Sequence, residues 1–139
     1  MPAIATVSDA PLSLDAHVAA VTGPAHGAVA TFVGLVRDHD PSVEGEVVAL
    51  EYSAHPDAAA VVARIVAEVE AAHGAALALT HRVGLLGVGE PAIVAAAASA
   101  HRAEAFAACR EAVERVKAEV PVWKREVLAD GSHTWVGIA

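Results

Sequence analysis

The sequence predicts a domain of the α+β or mixed α/β class. Helical and strand-like patterns alternate along the 139 residues, and the tail has the pattern of a β-hairpin. Composition supports a globular chain, because 55% of the residues are hydrophobic, although only 4% are aromatic. The core is therefore expected to consist of small and β-branched side chains. The length favours a single domain over residues 1–139.

The N-terminal part is predicted to hold one helix and two strands. After an irregular start, Ser13 is a suitable N-cap for a short helix that runs to about Val21. Residues 27–36 form a β-rich run that ends in a polar loop at 37–41. A second strand is predicted at about residues 46–53, so helix and strand already alternate here.

The middle of the chain contains the clearest helix signal. Pro56 suits a first helical position, and Gly74 suits the C-terminal stop. Strands are predicted at residues 76–83 and 91–98, and the glycine-rich segment 84–89 between them predicts a turn. The buried face of the helix is predicted from four residues at helical spacing: Val62, Ile65, Val66 and Val69.

A second long helix is predicted from Ser99, as the N-cap, to about Val120, where Pro121 ends it. One stripe at intervals of three and four is expected to be buried: Phe106, Cys109, Val113, Val116 and Val120. Cys109 is therefore expected to be a core thiol, because a nucleophilic thiol needs exposure and a cationic setting.

The C-terminal tail is predicted to be a β-hairpin. Strands at residues 123–128 and 132–138 flank Asp130-Gly131, which is a strong turn signal. Side chains alternate across a strand, so Lys124 and Glu126 are expected on one face.

Composition and charge exclude several classes of function. A formal charge of -8 argues against a general nucleic-acid binder. Cys109 is the only cysteine, which excludes an internal disulfide or a thiolate metal cluster and fits a reducing compartment. The longest apolar run, residues 92–98, is too short to span a bilayer, and no signal peptide is evident. We therefore expect a soluble cytoplasmic protein. We also expect no metal site, because the eight histidines show no ligand spacing.

The only two lysines, Lys117 and Lys124, lie in one short stretch beside apolar and aromatic neighbours. An ammonium can lose its proton when it is desolvated or crowded, and a guanidinium cannot, so lysine suits a catalytic position. The helical phase puts Lys117 at the margin of the buried stripe, where its amine can face a cleft. The alternative is that both lysines are remnants of a biased composition.

Three other cations stand at the ends of predicted elements. His101 and Arg102 begin the second long helix, where free backbone N–H groups and the helix dipole favour an anion. Arg37 follows the first long strand. The alternatives are that His101 and Arg102 are exposed or paired with an acid, and that Arg37 forms a salt bridge with Asp38 or Asp40.

Over residues 25–137, these features resemble the large, catalytic subunit of molybdopterin synthase. No single motif is decisive, but four in order at matching spacing are specific. The motifs are TFVGLVRDH at 31–39; HRVG at 81–84 with Gly89-Glu90; SAHR at 99–102 with Phe106; and KAEVP at 117–121 with Trp123, Lys124, Arg125 and Glu126.

The resemblance implies an α/β hammerhead fold with an additional antiparallel β region. It also implies a homodimer within a heterotetramer, with a ubiquitin-like small subunit at each end. The Gly-Gly C-terminus of that partner, carried as a thiocarboxylate, enters a pocket and gives up sulfur. Two such transfers convert cyclic pyranopterin monophosphate into the dithiolene of molybdopterin, and the resemblance implies no metal or other cofactor.

The resemblance also implies roles for individual residues. Lys117 corresponds to the central catalytic lysine and Lys124 to a second active-site lysine. The substrate-binding residues that it implies are Arg37, His101, Arg102, Lys117, Lys124, Arg125 and Glu126. Two other functions stay open: a non-catalytic module that binds a ubiquitin-like tail or an anionic metabolite, and a thiol-dependent sulfurtransferase that uses Cys109.

Overall fold

A computed structural model describes residues 4–41 and 43–138 and confirms the α+β class, with three helices and two sheets among these residues. The elements are β1 Ala5–Ser8, α1 Leu14–Val21, β2 Ala28–Leu35, β3 Val47–Ala54, α2 Ala58–His73, β4 Ala76–Arg82, β5 Gly84–Gly87, β6 Pro91–Ser99, α3 Arg102–Glu119, β7 Val122–Leu128 and β8 His133–Ile138.

The first sheet has the strand order β1-β4-β6-β2 and is covered by helices on both faces. Among the described strands of this sheet, only the β1–β4 pair is parallel. One face packs against α2 and α3, and the other packs against α1. The central strand β6 is buried almost throughout, and its run of alanines lets helices approach from both sides. The alanine-rich composition of this strand is therefore a packing requirement.

The second sheet, β5-β3-β7-β8, is entirely antiparallel and includes the predicted C-terminal hairpin. One face contributes to a separate small core: Val36, Val47, Leu50, Leu86, Ala92 and Leu128. The other face is exposed and carries Trp123, Trp135 and Leu85. Gly131 in the hairpin turn has φ 87°, the left-handed conformation that the turn signal predicts.

Local signals located most helix ends correctly. The hydroxyl oxygen of Ser13 accepts a hydrogen bond from the backbone N–H of Ala16 at 3.1 Å, and Gly74 ends α2 in the left-handed conformation. The predicted buried stripe of α2 is confirmed. Pro56, however, lies before the helix, whose N-cap is Asp57.

The start of α3 differs from the prediction. The N-cap is His101, and Ser99 belongs to β6, where its hydroxyl donates to the carbonyl oxygen of His101 at 2.6 Å. Phe106, predicted in the buried stripe, is 65% exposed, whereas the other four residues of that stripe are buried. A helical period of three to four residues defines a face but not its exact direction, and in the first turns of α3 the buried positions are Ala105 and Ala108, which leaves Phe106 outside the buried face.

Two short strands were not predicted. β1 lies in the segment expected to be irregular, and β5 occupies the glycine-rich segment 84–89 expected to be only a turn. Each is four residues long and pairs with a longer strand: β1 pairs with β4, and β5 pairs with β3. Pairing across the fold supplies the stability that such short segments lack by themselves. No helix among the described residues has the length and apolar content needed to cross a bilayer.

We predict that Gly27→Ala destabilises the fold by about 1–3 kcal/mol. A Cβ at this position would lie 2.7 Å from the carbonyl oxygen of Ala100, and backbone cannot move aside without displacing the start of α3. The matched control is Gly87→Ala, whose Cβ would meet no described atom within 4 Å and whose effect should stay within about 0.5 kcal/mol. Urea denaturation measures both values, and equal stabilities of the two variants would contradict the prediction.

Candidate active site

A cavity of about 240 Å³ opens where the loop after β2, the inner face of the second sheet and the last turn of α3 meet. Four of the residues that the resemblance assigns to the site line it together. The lining consists of Leu35, Arg37, His39, Asp40, Val47, Leu50, Tyr52, Lys117, Lys124 and Glu126. Cationic and carboxylate side chains therefore converge on one space from three separate elements.

Lys117 reaches the cavity from the last turn of α3. The buried residues Val113 and Val116 fix the rotation of the helix, which leaves Lys117 at the margin of the apolar face, as predicted. A cation at this end also complements the helix dipole. Desolvation of the amine and, second, the positive charge of Lys124 hold the pKa of Lys117 below its ordinary value, while Glu114 acts in the opposite direction.

Lys124 projects into the cavity from β7. Its Nζ lies 3.3 Å from Oδ2 of Asp40 and 3.7 Å from Oε1 of Glu126. The prediction from strand alternation is confirmed, because Lys124 and Glu126 share the inner face of the sheet. The ammonium is held by one carboxylate from its own strand and one from the loop after β2.

Glu126 is completely buried, at 0% exposure. Within the described ranges, neither of its carboxyl oxygens meets a hydrogen-bond donor at bonding distance. Burial and, second, the neighbouring Asp40 carboxyl raise the pKa of Glu126 to about 7, although Lys124 acts in the opposite direction. A carboxyl group in this environment is poised to gain or lose a proton near neutral pH.

Tyr52 forms part of the cavity wall, which sequence reasoning missed. Its ring packs edge-on against His81 at a centroid distance of 5.0 Å. Burial and then the charge of Glu126 raise the pKa of the Tyr52 hydroxyl, so it stays neutral at physiological pH. The pKa of His81 is lowered, first by burial and also by Lys117. The available signal was alternation in β3, which puts Tyr52 on the same face as Leu50.

Asp40 also lines the cavity, where it meets a partner that no local pattern predicts. The alternative from the sequence pairs Arg37 with Asp38 or Asp40, and the structure pairs Asp40 with Lys124, which is 84 positions away along the chain. Arg37 lines the cavity and is exposed. The loop after β2 therefore brings both a cation and a carboxylate to the site.

Three predicted site residues lie outside this cavity. His101 and Arg102 are exposed at the opposite end of α3, and the 15 steps from Arg102 to Lys117 span about 22 Å at 1.5 Å per residue. No ion pair of either residue is found in the described part of the chain, which disfavours the simple salt-bridge alternative. Arg125 faces the outer side of the sheet, where Nη2 lies 3.0 Å from Oε1 of Glu51 and the guanidinium lies 5.8 Å from the Trp135 ring centroid.

Cys109 is a core thiol, as predicted. It is 6% exposed, and burial raises the pKa of its thiol, which disfavours the nucleophilic thiolate. It forms part of the wall of a second, apolar groove of about 250 Å³, bordered by Phe32 and Phe106. In the ranges 4–41 and 43–138, no three His, Cys, Asp or Glu side chains are grouped to hold a metal ion.

Comparisons with known proteins place the chain among a defined set of relatives. It matches the family described as MoaE protein over residues 7–119. It is 42% identical over 136 residues to molybdopterin synthase catalytic subunit 1 of Mycobacterium tuberculosis, covering 94% of this chain and 88% of that protein. The crystal structure of molybdopterin synthase from Staphylococcus aureus is similar at a TM-score of 0.88 with 30% identity, covering 96% of each chain.

The fold also occurs in more distant proteins. A chain in the complex of subunits 1 and 2 of molybdopterin-converting factor from Helicobacter pylori has a TM-score of 0.66 at 19% identity. That match covers 80% of this chain and 72% of the other. The family match begins inside β1, so it extends further towards the N-terminus than the resemblance, which begins at about residue 25.

We predict that Glu126→Gln gains stability over the natural protein as the pH rises from about 4.5 to about 7. The folded state binds the Glu126 proton more tightly than the unfolded chain does, so ionisation in this window favours unfolding. Gln has the same shape and does not ionise. The difference in melting temperature between the two proteins should grow across the window and then level off. A difference that does not change with pH would contradict the raised pKa.

Proposed function

The chain belongs to the MoaE protein family, and on that premise we propose that it is the catalytic subunit of a molybdopterin synthase. It is a sulfurtransferase of molybdenum cofactor biosynthesis. It moves sulfur from the thiocarboxylated Gly-Gly C-terminus of a ubiquitin-like small subunit to cyclic pyranopterin monophosphate. Two transfers form the dithiolene of molybdopterin.

The observation that carries this proposal is the convergence of Arg37, Lys117 and Lys124 on one cavity. The precursor carries a phosphate and the donor is a thiocarboxylate, so both reactants are anions. Two anions brought together repel each other unless positive charge is concentrated between them. A chain with a formal charge of -8 supplies that positive charge locally, in the cavity.

Each cation in the cavity has a separate role in the proposal. Lys117 contacts the C-terminal carbonyl of the donor and stabilises the negative charge that develops as sulfur leaves. Its lowered pKa also suits it to proton transfer, because an amine nearer neutrality exchanges a proton more readily. Lys124 holds the bound anions from the sheet side, and Arg37 binds the phosphate from the loop after β2.

His101 and Arg102 bind substrate at the cavity of a second protomer in this proposal. They lie about 22 Å from Lys117 of their own chain, which is too far to reach its cavity. The edge strand β2 and the groove bordered by Phe32 and Phe106 expose apolar surface that a homodimer would cover. The assembly is then a heterotetramer in the cytoplasm, with one small subunit for each large subunit.

Arg125 has a structural role in place of the substrate contact that the resemblance implies. Its guanidinium is engaged by Glu51 and Trp135 on the outer face of the sheet.

The alternative function is a module that binds the tail or an anionic metabolite without turnover. Arginine alone would serve simple anion binding, so the two lysines in the cavity favour the enzyme.

We predict that Lys117→Ala lowers turnover at least about 100-fold, because the charge that stabilises the leaving donor is removed. The assay combines the protein with a thiocarboxylated small subunit and the pterin precursor, and it detects the dithiolene product by mass spectrometry. Cys109→Ala is the control and should keep its activity. Binding of the small subunit should persist in Lys117→Ala. Unchanged turnover in this variant would refute the proposed role, and lost turnover in Cys109→Ala would favour the thiol-dependent alternative.

We predict that Phe106→Asp converts the homodimer into a monomer. Phe106 is 65% exposed beside the apolar groove, and a buried unpaired carboxylate would oppose association there. Leu85→Asp is the matched control, because Leu85 is 61% exposed but lies on the second sheet. Sedimentation equilibrium gives the mass of each variant. If the Phe106→Asp protein remains a dimer, the dimer interface does not include the groove beside Phe106, and the prediction is wrong.

A further inference from the structure

Two carboxyl groups lie against a single ammonium on the inner wall of the cavity. Lys124 Nζ is 3.3 Å from Oδ2 of Asp40 and 3.7 Å from Oε1 of Glu126. The side chains of Asp40, Lys124 and Glu126 are 15%, 22% and 1% exposed, so water has little access to them. This cluster is therefore short of positive charge by one unit if both carboxyls are ionised.

The Glu126 carboxyl is also short of hydrogen-bond donors. Its two buried oxygens have no donor at bonding distance among the described residues, and the Lys124 contact at 3.7 Å is longer than a hydrogen bond. The Asp40 carboxyl contacts the same ammonium as Glu126, and an ionised carboxylate can only accept a hydrogen bond. Two carboxyls can hydrogen-bond to each other only when one of them carries a proton.

We propose that Asp40 and Glu126 share one proton in the resting protein, and that loss of this proton weakens the binding of anions in the cavity. The support for the shared proton is the contact of both carboxyls with one ammonium and the burial of the Glu126 oxygens, which are properties of the free chain. Its consequence for the phosphate and the thiocarboxylate rests on the proposed function. In this arrangement Glu126 is a positioning residue, because it acts on the reactants through Lys124.

The charged and titratable groups around Glu126 determine the pH at which its proton is lost. The loop after β2 contributes Arg37, His39 and Asp40, and α3 contributes Lys117. The neighbouring strands contribute Tyr52 from β3, Lys124 from β7 itself, and neutral Leu50 and Thr134 as cross-strand neighbours. Burial and Asp40 outweigh Lys124 and raise the pKa of Glu126 to about 7.

The charge balance of the cavity then changes near neutral pH. With the proton present, the three cations Arg37, Lys117 and Lys124 face one negative charge. After the proton leaves, they face two, and both carboxylates lie against Lys124. One added negative charge at short range in a partly desolvated site should weaken the binding of a small anion about tenfold. Anion binding should therefore be tight below neutrality and weaker above it.

The first test follows the carboxyl carbons of the full chain by NMR from about pH 5 to about pH 9. In the natural protein, Glu126 should titrate near neutrality. Asp40→Asn removes the competing charge and should lower that midpoint by about one pH unit or more. The matched control is Asp57→Asn, an exposed N-cap substitution outside the cavity that should leave the midpoint in place. An equal Glu126 midpoint in the natural protein and Asp40→Asn would overturn the shared proton.

The second test measures sulfate binding across the same pH range, because sulfate keeps a constant charge there. Affinity in the natural protein should fall about tenfold as Glu126 ionises. In Glu126→Gln it should vary little over this interval. An equal fall in Glu126→Gln would overturn the link between the proton and anion binding. Both readouts use the free protein without turnover, so their failure is distinct from failure of the proposed enzymatic function, which only the dithiolene assay tests.

Discussion

The site depends on how α3 is attached to the rest of the fold. Val113, Val116 and Val120 are buried in the main core, and Val122, just after Pro121, is buried in the same cluster. The helix can therefore neither rotate nor slide against the first sheet, and β7 begins at a fixed position. Because both ends of this short connection are anchored, Lys117 and Lys124 are held in the same cavity although they belong to different elements.

Electrostatic compensation then shapes the cavity. Three cations in a partly desolvated space repel one another, and the lowered pKa of Lys117 reflects desolvation together with the charge of Lys124. Asp40 from the loop after β2 and Glu126 from β7 offset this repulsion, but two full negative charges would neutralise much of the positive potential that the proposed anionic reactants require. A carboxyl that ionises near neutrality lets the site hold its lysines without losing that potential.

Errors of the sequence predictions arose where a segment depends on distant neighbours. β1 and β5 are four-residue strands that exist because β4 and β3 pair with them. Phe106 has the right helical spacing for burial, but the first sheet covers the face of α3 that carries Ala105 and Ala108 and leaves Phe106 exposed. Ser99 has the chemistry of an N-cap, yet pairing with Ala28 keeps it in β6. In each case a correct local preference was overruled by packing or pairing elsewhere.

The sequence by itself determined the features that depend on a few consecutive residues: the Ser13 and Gly74 caps, the Asp130-Gly131 turn, and the shared face of Lys124 and Glu126. Helical and strand periodicity and capping chemistry are local, so they can be derived without the fold. Only the tertiary structure decided that Asp40 meets Lys124, that Arg125 is engaged on the outer face, and that His101 and Arg102 lie far from Lys117. These distances depend on how the two sheets and α3 pack, which no short-range pattern encodes.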